Sequence, residues 1–162
     1  MIKQLSKTLS LHYSALFPFQ APHRKPKGFK VLVSIGGNIG NTKSRFAKLF
    51  QEIKRDSTFR ILATSPILRN PPFGYLNQEY FFNSVMLLET KLYPNQFLNK
   101  ILFIEKRFGR KRVFKNSPRT LDIDIIFFDN FKINTQKLVV PHKDWQNRES
   151  VLIPLINLGK IR

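Results

Sequence analysis

One stretch constrains the fold more than any other: Arg-Thr-Leu-Asp-Ile-Asp-Ile-Ile-Phe-Phe-Asp-Asn, residues 119–130. Its Ile and Phe content reads as a buried β-strand. Side chains alternate faces along a strand, so Asp122 and Asp124 point the same way. Two carboxylates side by side in an apolar element repel each other and lose hydration unless something positive sits between them. A chain built this way must bring cations against one face of a sheet.

The supply of cations is large. The chain has 28 Lys and Arg against 10 Asp and Glu, a formal net charge of +18, which favours anionic partners such as nucleic acid, nucleotides or acidic membrane. Its 162 residues suit one domain with a real core, and 42% of them, including 16 Phe, are hydrophobic. The absence of cysteine excludes disulfides, thiolate metal sites and cysteine nucleophiles, and agrees with a cytoplasmic location. No apolar run approaches the roughly 20 residues of a membrane span. The first twenty residues are interrupted by Ser10, His12 and Ser14, and no small-residue cleavage site follows, so secretion is not expected.

The proline-rich, basic segment Ala21–Gly28 separates an N-terminal extension, residues 1–28, from a main domain, residues 29–162. Leu9, Leu11, Leu16, Phe17 and Phe19 offer the extension a way to pack on that domain. The domain opens with a β-branched run, Phe29–Ile35. A Gly-Gly-Asn-Ile-Gly-Asn turn follows, then a helix with Phe46, Leu49, Phe50 and Ile53 inward, capped by Asn41 or Thr42. A strand near Phe59–Leu68 precedes a loop that Pro71 and Pro72 keep out of helix. The strand Tyr80–Thr90 has two faces, Phe81/Asn83/Val85/Leu87 and Phe82/Ser84/Met86/Leu88. A second helix starts at Pro94, turns Phe97, Leu98, Ile101, Leu102 and Ile104 inward, and stops at Gly109. The Asp-bearing strand, a hairpin through residues 128–142 and a last helix near Arg148–Leu158 complete the order. It predicts an α+β fold, a ferredoxin-like sandwich with helices packed on a largely antiparallel sheet.

Several residues could carry chemistry. The glycine turn lies where phosphate loops lie, but Thr42 stands where the phosphate-loop pattern requires glycine, so a tight turn and helix cap is the better reading. Phe81 and Asn83 share a strand face. Either Asn83 is satisfied by backbone, or a flat heterocycle lies on Phe81 while Asn83 reads its edge. Glu105 falls on an apolar helix stripe and needs a partner, for which a nearby arginine is the simplest choice. Between that helix and the paired aspartates run Lys106, Arg107, Arg110, Lys111, Arg112, Lys115 and Arg119. Arg and Lys grip phosphate oxygens, and carboxylates hold Mg²⁺ that bridges the same phosphates, so the combination points to phosphoryl chemistry with more than one divalent cation. His142 and Arg148 add a second phosphate-facing pair.

Taken together, the motifs Ser-Pro-Ile-Leu-Arg-Asn-Pro-Pro-Phe-Gly (65–74), Phe-Phe-Asn-Ser-Val (81–85), Ser-Pro-Arg-Thr-Leu-Asp-Ile-Asp (117–124), Pro-His (141–142) and Asn-Arg (147–148) resemble the 6-hydroxymethyl-7,8-dihydropterin pyrophosphokinase family of folate biosynthesis. The resemblance covers about residues 30–158. It implies transfer of pyrophosphate from ATP to the pterin hydroxymethyl group, releasing AMP, with two Mg²⁺ accompanying ATP. By the same resemblance, Asp122 and Asp124 are the metal pair. Asn70, Pro71, Phe73, Phe81, Asn83 and Asp122 surround the pterin. Leu98, Glu105, Arg110, Arg112, Arg119, Thr120, Ile125, His142 and Arg148 surround ATP, and catalysis rests on Asp122, Asp124, Arg110, Arg119 and His142. The family also implies a monomer acting on small molecules, with neither nucleic acid nor membrane as partner.

The chain departs from the family pattern at three places. The loop before Pro118 reads Phe-Lys-Asn-Ser, one residue short and without the usual tryptophan, and Lys115 stands near an arginine position. Ser150 occupies a position often held by a second pterin-stacking aromatic, and Gly37 one usually held by serine. Two other readings compete: an RNA-binding module, which lacks the aromatic strand motif it would need, and a nucleotide-binding regulator without catalysis.

Overall fold

The computed structural model describes residues 1–158; the end of the main domain expected above, residues 159–162, lies outside the described residues. The strands are β1 (Ile2–Gln4), β2 (Ser10–His12), β3 (Phe19–Gln20), β4 (Phe29–Gly37), β5 (Phe59–Thr64), β6 (Ile67–Asn70), β7 (Phe81–Thr90), β8 (Asp122–Phe128), β9 (Ile133–Asn134) and β10 (Val139–Val140). The helices are α1 (Thr42–Arg55), α2 (Pro94–Arg107) and α3 (Glu149–Leu158).

In the main sheet β4 lies between the edge strand β8 and β7, and β5 and β6 share the far side of β7. All pairings among the described residues are antiparallel. The break between β5 and β6 stays satisfied, because Ser65 N–H donates to the Val85 carbonyl at 3.0 Å and Ser65 Oγ meets Ser84 Oγ at 2.9 Å. Residues 1–20 extend this same edge: β2 pairs with β6, and β3 with β5. Leu11 and Phe17 are buried, and Leu16 and Phe19 pack against the core cluster.

Helix α1 begins where Asn41 Oδ1 accepts from Ser44 N–H at 3.0 Å, so Asn41 is the cap. It buries Phe46, Leu49, Phe50 and Ile53, the four expected from their spacing. Each such side chain contributes about 1.5–3 kcal/mol on leaving water. Helix α2 begins at Pro94, with Gln96 Oε1 accepting from Tyr93 N–H at 3.0 Å, and ends before Gly109, whose φ of +79° is left-handed. Its buried stripe is Phe97, Ile101, Ile104 and Glu105. Leu102, expected inward, is instead 41% exposed. Each residue turns the helix by about 100°, so the position after Ile101 rotates out of the stripe.

Together α1 and α2 cover one face of the sheet, over Val33, Ile35, Met86, Ile123 and Ile125. On the other face a smaller cluster joins Leu32, Val85 and Ile126 to Val151 of α3. Helix α3 covers one end of that face only. Gly36, Asn83, Asp122 and Asp124 share the remainder by strand alternation.

Candidate active site

Register builds the floor of the site. Gly36 pairs with Asn83 on one side and with Asp122 on the other, so the three form a row across β7, β4 and β8. A Cβ at Gly36 would stand 2.5 Å from Asn83 Oδ1 and 2.6 Å from Asp122 Oδ1. Glycine therefore lets an amide oxygen and a carboxylate oxygen approach each other over its backbone. Asn83 Nδ2 donates to Asn70 Oδ1 at 2.7 Å, which orients the amide from the neighbouring strand β6. In the next row Ser34 pairs with Asp124, placing both aspartates on this face as alternation requires.

Arg119 supplies the positive charge that the paired carboxylates demand. Its Nε lies 2.9 Å from Asp122 Oδ2, and its guanidinium sits over the Phe81 ring, 4.6 Å from the centroid. One pair does not neutralise the site. Burial and then the nearby Asp124 charge push the Asp122 carboxyl above the usual carboxylate range, against the pull of Arg119 and Arg110. Glu105 is pushed up to about 7, chiefly by burial, with Asp122 and Asp124 adding to the effect. Its bonded partner is the backbone N–H of Ile123 at 2.6 Å, not the arginine expected from sequence. The last turn of α2 packs against β8, so an inward side chain there meets the strand backbone before it meets a cation.

Arg110 is the complement. Its Nε and Nη1 are buried with no hydrogen-bond partner, and burial draws its guanidinium below the usual arginine range. A buried guanidinium without an acceptor is costly, and an anion would relieve it. Arg110 opens on a cleft of about 450 Å³ lined also by Glu105, Arg112, Val113, Phe114, Lys115, Asn116, Ser117, Arg119, Asp122, Asp124, His142 and Arg148. His142 is fixed there by its N–H to the Ile126 carbonyl at 2.9 Å and by Nδ1–H donating to the Lys143 carbonyl at 2.6 Å.

The glycine turn props up the entry to β8. Asn38 Oδ1 accepts from Arg119 N–H at 3.0 Å, while Asn38 N–H donates to the Arg119 carbonyl at 2.9 Å. The Asn38 Nδ2 group donates onward to Gln78 Oε1 at 2.9 Å, and Arg45 Nη1 donates to the Thr120 carbonyl at 3.0 Å. A Cβ on Gly37 would stand 2.4 Å from that same carbonyl. The turn thus braces the backbone at the entry to β8.

With this geometry in place, comparison with known proteins is decisive. Residues 32–160 match the family model described as 7,8-dihydro-6-hydroxymethylpterin-pyrophosphokinase (HPPK). The chain belongs to this family. Relatives named 2-amino-4-hydroxy-6-hydroxymethyldihydropteridine pyrophosphokinase include one from Campylobacter jejuni, 41% identical over 88% of this chain and 90% of the relative. One from Helicobacter pylori is 40% identical over 88% of each chain, and one from Pseudomonas aeruginosa 34% identical over 80% of each.

Within the pyrophosphokinase frame, the cleft gathers nine of the residues singled out in sequence: Glu105, Arg110, Arg112, Lys115, Arg119, Asp122, Asp124, His142 and Arg148. Phe81 and Asn83 adjoin it on β7, beside half-buried Asn70 and Pro71. Thr120 lies at the mouth of β8, its Oγ1 buried and unpartnered. Three others lie elsewhere: Phe73 is 86% exposed, Ile125 is in the core beneath α2, and Leu98 packs against that core. Sequence reasoning missed Gly36, Asn38, Arg45 and Gln78. The sequence reading places Gly36 in the turn after Ile35, whereas the strand runs on to Gly37, and a glycine inside a strand often marks a close approach.

The carboxylates fit a divalent cation. Hard oxygen donors suit Mg²⁺, and among the described residues no group of three or more His, Cys, Asp or Glu assembles, so water and phosphate oxygens would complete its shell.

Proposed function

We infer that the chain transfers the pyrophosphoryl group of ATP to the hydroxymethyl oxygen of 6-hydroxymethyl-7,8-dihydropterin, as a pyrophosphokinase of folate biosynthesis. The observation that carries the reading of the site is one cleft uniting the unpartnered Arg110 guanidinium with Asp122 and Asp124. Phosphate oxygens answer the first need, and a cation on the carboxylates answers the second. Mg²⁺, two ions in this reading, would neutralise the triphosphate and the leaving group.

The side chains then divide the work. Arg110, Arg112, His142 and Arg148 hold phosphates, with Thr120 beside them, and Leu98 and Ile125 serve the adenine end. Arg119 leaves Phe81 and turns to phosphate, which uncovers the ring for stacking against the pterin. Asn83, steered by Asn70, reads the heterocycle edge over the Gly36 floor, and Pro71 and Phe73 complete that pocket. The hydroxymethyl oxygen bonds the β-phosphorus as its proton passes to water, the bond from the β-phosphorus to the α–β bridging oxygen breaks, and AMP departs carrying that oxygen. Positioning and charge neutralisation suffice, without a covalent intermediate or a strong base.

The strand order β8–β4–β7–β5/β6, with α1 and α2 on one face, supports the ferredoxin-like description. We assign catalysis to residues 29–162, with residues 1–28 as an extension. One chain holds every site residue named here, so a monomer suffices for this reading, and a cytoplasmic location is part of it.

The test is AMP release from Mg-ATP with and without the pterin. Pterin-dependent AMP without ADP is expected. Asp122→Ala should lose about 10³-fold or more in turnover with an unchanged melting curve, because it removes charge neutralisation and not core. No AMP from the wild type, or wild-type turnover in Asp122→Ala, overturns the reading.

A further inference from the structure

Phe81 offers the heterocycle one aromatic face, and the facing position often filled by a second aromatic in this family is Ser150, on the first turn of α3. We propose that Phe114, held by Tyr75, supplies the missing wall of the pterin pocket. The proposal rests on the pyrophosphokinase reading above.

Phe114 is the one phenyl ring among the described residues lining the cleft of Asp122 and Asp124. It is 51% exposed, so it has no core to serve. Its placement is nevertheless fixed. Ser117 N–H donates to the Phe114 carbonyl at 3.2 Å, closing a turn in which Asn116 takes a φ of +60°. Tyr75 meets the Phe114 ring, with centroids 5.1 Å apart and planes at 87°. Two further ties join the same loops: Gln78 Nε2 donates to the Asn116 carbonyl at 2.9 Å, and Asn116 fills the space a Cβ on Gly74 would need. Tyr75 is the positioning residue, since it reaches the ligand only through Phe114.

Titration of 6-hydroxymethyl-7,8-dihydropterin into protein saturated with Mg²⁺ and a non-hydrolysable ATP analogue, followed by the pterin's own fluorescence, tests this. Phe114→Ala should weaken pterin binding about tenfold and raise its KM for AMP formation in step, since a stacked ring contributes on that scale. Analogue affinity should stay within about twofold, Phe114→Trp should retain tight binding, and Tyr75→Ala should show a smaller loss in the same direction. Pterin affinity unchanged in Phe114→Ala, or an equal loss of analogue affinity, overturns the proposal. A wild-type protein that neither binds pterin nor forms AMP with it fails at the function itself, a result distinct from either.

Discussion

A glycine inside a strand normally weakens it, because it adds backbone entropy to the unfolded chain and packs nothing. At Gly36 the missing methyl group leaves room for Asn83 Oδ1 and Asp122 Oδ1 to lean in over the backbone. Both obstructing atoms are ends of side chains that can rotate, so the fold should accept a methyl group where the site should not. Gly36→Ala is therefore expected to melt within a few degrees of wild type while weakening pterin binding about tenfold or more, read by the same fluorescence titration. An unchanged affinity would show that the floor between amide and carboxylate is not used. Arg119 illustrates the opposite economy: one guanidinium answers Asp122 and covers Phe81 at once, so both groups meet the protein's own side chain.

Elements are tied at their ends as much as along their faces. Asp56 follows the last turn of α1, and its Oδ1 accepts from Thr58 N–H at 2.9 Å, Thr58 Oγ1 at 2.7 Å and Lys100 Nζ at 3.0 Å. It thereby joins α1, β5 and α2 at one point. Burial raises its pKa, but the hydrogen bonds from Lys100 and Thr58 outweigh that and hold it below the usual carboxylate range. A depressed folded-state pKa means stability that is present above the unfolded value and lost as pH falls through the folded one. Acidification below about pH 4 should therefore cost the wild type more stability than Asp56→Asn, by about 1 kcal/mol, as measured in paired denaturant melts at pH 7 and pH 3. Equal losses in the two proteins would remove Asp56 from the account of acid stability.

For the whole molecule, the N-terminal segment closes the sheet. Without residues 1–20, the outer edges of β5 and β6 would present unpaired N–H and C=O groups, and the partners of Leu11 and Phe17 would be exposed. A chain starting at residue 21 is expected to lose several kcal/mol of stability, at about 1.5–3 kcal/mol for each buried side chain removed, and to self-associate through the bared edge. Thermal melts and light scattering read the two effects, and a monomer with the wild-type melting temperature would contradict both.

Local periodicity determined much of this protein. Strand alternation put Asp122 and Asp124 on one face and divided β7 into a Phe81/Asn83 side and a Phe82/Ser84 side. Helical spacing marked the buried residues of α1, and the left-handed Gly109 marked the end of α2. Each of these is a property of neighbours in the chain, and sterics at that range leave few choices. Tertiary structure decided the rest. Gly36, Asn83 and Asp122 are far apart in sequence, and their meeting depends on the mutual register of three strands. The choice of Ile123 N–H as the partner of Glu105, the outward turn of Leu102 and the entry of residues 1–20 into the main sheet depend likewise on which surfaces meet. Register and docking are set by packing the whole core at once, so no window of sequence contains them.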